Sequence, residues 1–350
     1  MKTNVYQKIK LGSIEQYAKE LIEISENKKV FILCDDNTKQ CVNYLKNEIS
    51  IFRDAETYAI NSGEKFKTLK TSQEIWDFLI TKKANRNDLL INVGGGLITD
   101  IGGFVASTYK RGIQFINIPT SLLAMVDASI GGKTGVNFNG IKNQIGLFSN
   151  PEIILCDSYF LESLPKEELL SGFAEVLKHG LIYKKEYWNY CTSLEIDKLD
   201  ILKIINDSIS IKTKIVTIDP DEKKERKLLN FGHTIGHAIE SLLLKKKNQT
   251  LHGFAVAAGI IIESYISLEL KYLKEEDFIE INKKITAIFP KITFLKSEIS
   301  SLIELMKSDK KNNSDEINFT LIDEIGHGIV NQNINTAELK FILEKYVKSC

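Results

Sequence analysis

The chain has 350 residues, and its 46 lysines and arginines are balanced by 46 aspartates and glutamates. This balance excludes a strongly basic surface for nucleic acid, and no apolar run reaches the roughly 20 residues needed to cross a bilayer. The first residues lack the apolar centre of a signal peptide, and the five cysteines are scattered without a CxxC pair. We therefore expect a cytoplasmic protein that binds neither nucleic acid nor membrane, with enough length for two domains.

Strand-like and helix-like segments alternate in the first half of the chain. Helical spacing predicts a helix at 72–79, and apolar runs predict strands at 30–33, 88–93, 115–118 and 153–155. This alternation indicates a Rossmann-like α/β domain with a mainly parallel sheet. Ligands of such sheets bind beyond the carboxyl ends of the strands. Polar residues that follow these strands are Asp35, Asn37, Thr120 and Ser121.

The periodicity becomes helical after Pro165. It predicts helices at 201–218 and 254–270, followed by one short strand at 317–322. We therefore expect an α/β domain at residues 1–170 and a mostly α-helical domain at residues 171–350.

Three consecutive glycines, Gly94, Gly95 and Gly96, follow the strand at 88–93, and a helix is predicted to begin near Thr99 and Asp100. A strand, a glycine turn and a helix together offer backbone N–H groups to a pyrophosphate. The GxGxxG fingerprint is incomplete because Thr99 occupies its third glycine position, so the turn alone also fits a structural role. Groups suited to a phosphorylated, polyhydroxylated substrate beside a nucleotide follow soon after, at Asp127, Lys133, Lys142 and Asn143.

Histidines and a glutamate form a candidate metal set. His233 and His237 are four residues apart, on one face of a predicted helix, while His252 and Glu175 lie in two other segments. Catalytic zinc-type sites take imidazole and carboxylate ligands and keep one position open. His179, four residues after Glu175, is a rival ligand, and each histidine could instead cap or pack locally. Spacing does not choose among these sets.

Four segments carry a resemblance to a known family: VDASIGGKTGVN at 126–137, AEVLKHG at 174–180, LNFGHTIGHAIE at 229–240 and LHG at 251–253. The motifs occur in the same order in the 3-dehydroquinate synthase family of sugar-phosphate cyclases, which the chain resembles from about residue 35 to residue 311. The resemblance implies conversion of 3-deoxy-D-arabino-heptulosonate 7-phosphate to 3-dehydroquinate and phosphate, in the shikimate pathway to chorismate and aromatic amino acids. It implies transient oxidation by NAD, phosphate elimination, re-reduction and an intramolecular aldol closure.

The resemblance also implies roles for individual residues. It implies that the ligands of a divalent metal, zinc or cobalt, are Glu175, His233 and His252. As NAD contacts it implies Asp35, Asn37, Glu64, Lys67, Gly96, Thr99, Asp100, Thr120, Ser121, Lys133 and Lys142, to which the glycine turn adds Gly94 and Gly95. As substrate contacts it implies Asp127, Lys133, Asn143, Lys178, Lys212, Arg226, Asn230, His237 and either Lys310 or Lys311. In a homodimer of this family, an arginine like Arg111 reaches the neighbouring active site.

One departure from the family pattern is Phe254, which stands where a glutamate usually follows His-Gly. We expect its ring to pack into the core of the second domain. Three alternatives remain: another cyclase that makes 2-deoxy-scyllo-inosose or a valiolone, a metal-dependent polyol dehydrogenase that releases NADH, and a non-catalytic scaffold. Arg226 and Lys212 favour a carboxylate substrate, and they therefore favour the 3-dehydroquinate synthase family over another cyclase.

Overall fold

The structure is a computed structural model that describes residues 8–139, 141–309 and 315–349. The chain divides into two compact units. The first comprises Met1–Pro165 with Ile201–Thr213, and the second comprises Lys166–Asp200 with Lys214–Cys350.

A six-stranded parallel sheet forms the centre of the first unit. Its strands are β1 (Ile9–Leu11), β2 (Val30–Asp35), β3 (Glu56–Ile60), β4 (Leu89–Gly94), β5 (Gln114–Pro119) and β8 (Ile154–Cys156), in the order β1-β8-β5-β4-β2-β3. This sheet confirms the predicted Rossmann-like class and all four predicted strands. The sequence did not reveal β1 and β3. Both are edge strands, one only three residues long and the other partly exposed, so neither has a continuous apolar run.

Four helices belong to the same unit: α1 (Ala18–Ser25), α2 (Lys39–Glu48), α3 (Leu69–Thr81) and α4 (Gly96–Thr108). The predicted helix at 72–79 is the central part of α3, whose first turn is capped by the Thr68 side chain. A buried cluster that includes Phe31, Leu79 and Ile98 joins helices to the sheet.

A two-stranded antiparallel hairpin, β6 (Lys133–Phe138) with β7 (Ile141–Phe148), completes the first unit. The sequence analysis missed it because glycines and polar residues interrupt the alternation that marks a strand. The hairpin packs close to α4: a Cβ atom on Gly103 would lie 2.4 Å from Cγ2 of Thr134.

Helices dominate the second unit, as predicted: α5 (Lys166–Tyr183), α6 (Lys185–Cys191), α8 (His233–Lys245), α9 (His252–Glu269), α10 (Glu275–Ile288), α11 (Ile299–Asp309) and α12 (Thr336–Ser349). The predicted helix at 201–218 is α7 (Ile201–Ile218), which begins in the first unit and ends in the second. The predicted helix at 254–270 is α9, which begins two residues earlier, at His252. The predicted strand at 317–322 is β9 (Glu316–Glu324), paired with the unforeseen and more polar β10 (His327–Asn335).

No helix in the part of the chain that the structure describes has the length and apolar character needed to cross a membrane.

The approach of α4 to β4 depends on Gly102. A Cβ atom at this position would lie 2.0 Å from Oδ1 of Asn92, whose Nδ2 donates a hydrogen bond of 2.9 Å to Oδ1 of Asn117. Alanine normally favours a helix over glycine by about 1 kcal/mol. Here we expect Gly102→Ala instead to lower the free energy of unfolding by about 2 kcal/mol, because the buried amide cannot move aside.

Denaturant unfolding of Gly102→Ala, Asn92→Ala and the double variant measures this contact. The cost of Gly102→Ala should shrink by roughly 1 kcal/mol or more in the Asn92→Ala background. Strict additivity of the two changes would contradict the contact.

Candidate functional site

Three histidines and one glutamate lie together in the second unit. His233 is the first residue of α8, His252 is the first residue of α9, and Glu175 lies in α5. Oε1 of Glu175 is 3.5 Å from Nε2 of His233 and 3.7 Å from Nε2 of His252. Ring nitrogens of His233, His237 and His252 all lie within 4.8 Å of one another. These distances are compatible with a single cation bound among the four side chains.

The environment of Glu175 tests whether these residues fit a metal. The side chain is fully buried, and neither of its carboxylate oxygens accepts a hydrogen bond from the described residues. Lys178, one helical turn later, forms an ion pair with Oε2. A buried carboxylate is costly unless charges or donors compensate it. A divalent cation would satisfy the remaining oxygen, so the set fits a zinc-type metal with imidazole and carboxylate ligands.

The hydrogen bonds of the two histidines orient their rings. Nδ1 of His233 lies 3.2 Å from the carbonyl oxygen of Phe231, and Nδ1 of His252 lies 3.5 Å from Oε2 of Glu240. When Nδ1–H donates to such an acceptor, Nε2 is left with a lone pair for a cation. The sequence analysis gave Glu240 no role. The signal was present, because Glu240 follows His237 by three residues and so lies on the same helix face.

The protonation of the cluster follows from burial and neighbouring charges. Burial, with the charge of Lys178, lowers the pKa of His233 to about 3, so its imidazole is neutral. Burial also opposes a charge on His252, but the neighbouring carboxylates of Glu175 and Glu240 outweigh it and raise its pKa to about 9. Burial raises the pKa of Glu175, whereas Lys178 and His233 hold it well below its usual range. A bound cation would therefore displace a proton from His252.

His237 lies in the same cluster as His233 and His252. The ring centroid of His237 is 5.2 Å from that of His233 and 5.9 Å from that of His252. His179, the rival ligand from α5, is fully buried and stands outside this histidine cluster.

The start of α9 lies directly against α5. The backbone N–H of Gly253 donates to Oγ of Ser171 at 3.0 Å, and a Cβ atom on Gly253 would lie 1.9 Å from the Ser171 carbonyl oxygen. Ser171 precedes Glu175 by one helical turn. This contact, which only glycine permits, brings His252 to the carboxylate of Glu175.

A loop organised by Asp219 holds Arg226 in the second unit. The Asp219 carboxylate accepts hydrogen bonds from the backbone N–H groups of Lys223, Lys224 and Arg226 at 3.0, 2.6 and 3.1 Å. Burial raises the pKa of Asp219, but these hydrogen bonds outweigh it and lower the pKa. The buried Arg226 guanidinium donates from Nη1 to the Pro220 carbonyl at 2.7 Å. The sequence analysis did not identify Asp219, since its role is to shape a loop.

Asn230 and Glu222 belong to the same part of the second unit. Nδ2 of Asn230 donates to Oε1 of Glu222 at 3.2 Å, which orients the predicted amide. Lys178, another predicted substrate contact, is buried in α5 beside Glu175.

In the first unit, several predicted nucleotide contacts lie at the carboxyl ends of neighbouring strands. The Asp35 carboxylate, at the end of β2, accepts hydrogen bonds from the N–H groups of Asn37 at 2.9 Å and Thr38 at 3.1 Å. The Thr120 N–H, after β5, donates to the Gly94 carbonyl, at the end of β4, at 3.0 Å. The strand order places β4 between β2 and β5, so these groups lie along one edge of the sheet.

The glycine turn occupies the middle of that edge. Gly94 ends β4, Gly95 is the N-cap and Gly96 begins α4, so the helix starts three residues earlier than predicted. Thr99 lies within the first turn, where its hydroxyl donates to the Gly96 carbonyl at 3.2 Å. The nearest neighbours of Cβ atoms added to Gly95 and Gly96 would be Ser121 Oγ and Ala128 Cβ, both at 3.3 Å. This bare backbone at a helix N-terminus fits a pyrophosphate.

A buried lysine links the predicted nucleotide and substrate contacts of the first unit. Nζ of Lys67 lies 2.5 Å from both Oδ2 of Asp100 and Oδ1 of Asn143. The Asn143 N–H donates to Oδ1 of Asn137 at 2.8 Å, and Asn137 donates to Oε1 of Glu64 at 2.8 Å. The sequence analysis missed Asn137, which connects the hairpin to this network.

The other predicted site residues of the first unit lie in separate elements. Nζ of Lys212 donates to the backbone oxygen and Oδ1 of Asp127 at 2.5 and 2.6 Å. Lys133 begins β6 and Lys142 lies in β7. Arg111 is exposed, with a left-handed φ of 67°. Lys310 and Lys311 lie outside the described residues.

Phe254 is half-buried, and its ring meets that of Phe289 edge-on at a centroid distance of 6.0 Å. The ring therefore packs at the edge of the apolar core, whereas the sequence analysis predicted that it would pack into the core.

Solved structures of other proteins share this two-part architecture, an α/β unit followed by a mostly helical one. A 2-deoxy-scyllo-inosose synthase, solved with carbaglucose-6-phosphate, NAD+ and Co2+, has a TM-score of 0.82 and 24% identity over 96% of each chain. The 2-epi-5-epi-valiolone synthase of Streptomyces hygroscopicus, solved with NAD+ and Zn2+, has a TM-score of 0.83 and 22% identity, covering 98% of this chain and 97% of that one. These similarities establish the fold.

Sequence comparisons identify the family. The family model of the 3-dehydroquinate synthase N-terminal region matches residues 57–171, and that of the C-terminal region matches residues 172–312. The 3-dehydroquinate synthase of Parabacteroides distasonis is 42% identical over 324 residues, which cover 92% of each chain. The chain belongs to the 3-dehydroquinate synthase family.

The contact between α9 and α5 can be tested by adding one methyl group. We expect Gly253→Ala to lower the free energy of unfolding by about 3 kcal/mol, because the new Cβ meets backbone that cannot rotate away. Ser171→Ala is the matched control: it removes the hydrogen bond to the Gly253 N–H and should cost only about 1 kcal/mol. Thermal and denaturant unfolding measure both variants. Equal losses would show that the hydrogen bond, and not the close approach, holds the two helices.

Proposed function

We propose that this chain is an NAD- and metal-dependent carbon–oxygen lyase that converts 3-deoxy-D-arabino-heptulosonate 7-phosphate to 3-dehydroquinate and phosphate. Membership in the family supports the reaction. The observation that carries it is the buried Glu175 carboxylate, 3.5 and 3.7 Å from the Nε2 atoms of His233 and His252. The overall conversion is redox-neutral, so the cofactor ends each turnover in its starting state.

When bound, a zinc or cobalt ion would act as a Lewis acid on substrate oxygens, and NAD would supply a hydride acceptor that later returns the hydride. We assign the metal to Glu175, His233 and His252. We assign NAD binding to residues 1–170 and metal and substrate binding to residues 171–350, with further substrate contacts from the first range. The glycine turn supports the first assignment through its bare amides, and the histidine cluster supports the second.

The chain's polar side chains would bind and orient the sugar phosphate. Arg226 suits the substrate carboxylate, because its buried guanidinium has a fixed planar geometry. The phosphate would be bound by Lys133, Asn143 and His237 through charge and hydrogen bonds. The remaining proposed substrate contacts are Asp127, Lys178, Lys212, Asn230 and either Lys310 or Lys311. Several of these are already fixed by neighbours, as Lys212 is by Asp127.

We further propose that the chain acts in the cytoplasm as a homodimer in which Arg111 reaches the neighbouring active site. The exposed Arg111 side chain is consistent with contact to a second copy. Four free cysteines, Cys34, Cys41, Cys156 and Cys191, are buried as thiols, which fits a reducing compartment.

Product analysis separates this lyase from a polyol dehydrogenase. Incubation of the chain with the heptulosonate phosphate, NAD and zinc should release phosphate in proportion to substrate consumed. Absorbance from NADH should not exceed the enzyme concentration, since the hydride returns to the intermediate. NADH formed in proportion to substrate, without phosphate, would overturn the proposal.

A second candidate is a cyclase that acts on a sugar phosphate without a carboxylate, and the fold similarity to the inosose and valiolone synthases favours it. Competing substrates distinguish the two. We expect turnover of the heptulosonate phosphate and none of an aldohexose 6-phosphate, and Arg226→Met should raise KM for the carboxylate substrate by at least roughly tenfold. Preference for the aldohexose phosphate would establish the second candidate.

The metal ligands can be assigned by single substitutions. We expect His233→Ala, His252→Ala and Glu175→Gln each to weaken zinc binding by more than about 100-fold, because each removes a ligand atom. His237→Ala should retain zinc within about tenfold and lose affinity for the substrate phosphate. Zinc content after dialysis and chelator competition measure the affinity. If His237→Ala loses zinc and His252→Ala retains it, the ligand set is wrong.

Two variants of the glycine turn distinguish an effect on NAD affinity from an effect on stability. A Cβ atom on Gly96 has only a 3.3 Å contact in the protein, whereas one on Gly94 would lie 2.5 Å from the Ile98 side chain. We therefore expect Gly96→Ala to weaken NAD binding about tenfold or more at nearly unchanged stability. Gly94→Ala should lower the melting temperature. Titration calorimetry with NAD and thermal unfolding measure the two effects, and unchanged NAD affinity in Gly96→Ala would exclude the turn as a pyrophosphate site.

A further inference from the structure

Glu263 is a buried acidic side chain to which the proposed reaction assigns no role. It lies in α9 beside Ile262, and its exposed fraction is 0%. Oε2 accepts a hydrogen bond from the backbone N–H of Gly232 at 2.6 Å, and Oε1 accepts one from the N–H of Ile235 at 2.9 Å. A carboxylate so deeply buried requires strong donors, and these two amides provide them.

One amide belongs to Gly232, the N-cap of α8, and the other belongs to Ile235 in its first turn. The first N–H groups of a helix have no partners within the helix, and a side chain of the preceding residue usually satisfies one of them. The residue before α8 is Gly232, which has a left-handed φ of 79° and no side chain to serve as a cap. Glu263 supplies the missing acceptors from another helix, α9. Its negative charge also interacts favourably with the positive end of the α8 dipole.

The two amides that donate to Glu263 lie on either side of a proposed metal ligand. His233 follows Gly232 directly and precedes Ile235 by two residues, so fixing both amides fixes the backbone that carries its imidazole. Close packing reinforces this arrangement, because a Cβ atom on Gly259, one turn before Glu263, would lie 2.0 Å from the Gly232 carbonyl oxygen. Since α9 begins with His252, this helix carries one ligand and anchors the backbone of another.

We propose that Glu263 is a positioning residue of the metal centre, which sets the location of His233 relative to His252 by holding the first amides of α8. The inference rests on the proposed metal site. It makes metal affinity, and not only stability, depend on a side chain that accepts hydrogen bonds from the backbone on either side of a ligand.

The test compares zinc affinity in variants of the full chain by competition with a chelator. Glu263→Gln keeps the size of the side chain but turns an N–H group toward one of the two amides. We expect this variant to bind zinc about tenfold or more weakly, as is typical when a residue supporting a metal ligand is changed. Glu263→Asp, which is one methylene too short to reach both amides, should behave similarly.

Two control variants separate positioning from general stability. Ser264→Ala changes the next buried residue of α9, whose hydroxyl has no hydrogen-bond partner among the described residues, and it should bind zinc like the native chain. Leu302→Ala opens a cavity in the apolar core of the same unit and should lower the melting temperature while its folded form keeps native zinc affinity. At saturating cobalt, the visible absorption bands should shift in Glu263→Gln and remain native in both controls.

The outcomes distinguish the inference from the function on which it rests. Native zinc affinity and native cobalt bands in Glu263→Gln, whatever its melting temperature, would reduce Glu263 to a structural residue and overturn the proposal. Absence of zinc binding in the native chain would overturn the proposed metal centre itself. If Glu263→Asp fails to fold, Glu263→Gln alone decides between the first outcome and the expected one.

Discussion

The carboxylate of Glu175 is a negative charge in the apolar interior of the second unit, and the surrounding structure compensates it. Lys178 neutralises it from the same helix, and two helices begin with histidines directed toward it. Burial makes such a charge costly, so the fold must hold its partners in place or lose stability. The same burial gives the group its use, since a carboxylate without hydrogen-bond donors is available to a cation.

Close backbone contacts make this arrangement possible. Gly253 lets α9 begin against α5, and Gly259 lets α9 cross the start of α8, with added Cβ atoms only 1.9 and 2.0 Å from carbonyl oxygens. In the first unit, Gly102 gives α4 a similar approach to β4. Glycine is required at these positions by proximity and not by backbone conformation. Gly95 and Gly96 of the 94–96 turn are less tightly packed, since Cβ atoms added there would lie no closer than 3.3 Å to their neighbours.

Buried carboxylates also organise backbone at several points. Asp35 binds amides after β2, Asp219 binds three amides of the loop that holds Arg226, and Glu263 binds two amides at the start of α8. In each case a short segment without regular hydrogen bonds obtains acceptors from one side chain. Residues proposed to bind ligands lie beside each of these carboxylates, so a rigid backbone positions the chemistry.

Local sequence determined much of the fold. Continuous apolar runs were enough to locate β2, β4, β5 and β8, because strands buried on both faces contain few polar residues. Helical periodicity located α3, α7 and α9, and motif resemblance suggested the glutamate and histidines of the cluster. Edge strands and the β6–β7 hairpin were missed, since their polar and glycine residues lack a local pattern. Only the tertiary structure showed that Asp219 accepts hydrogen bonds in the loop of Arg226 and that Glu263 accepts them at the start of α8, because both bind backbone amides and such contacts leave no periodic signal. The sequence thus determined which groups are available, and the packing of helices decided which of them meet.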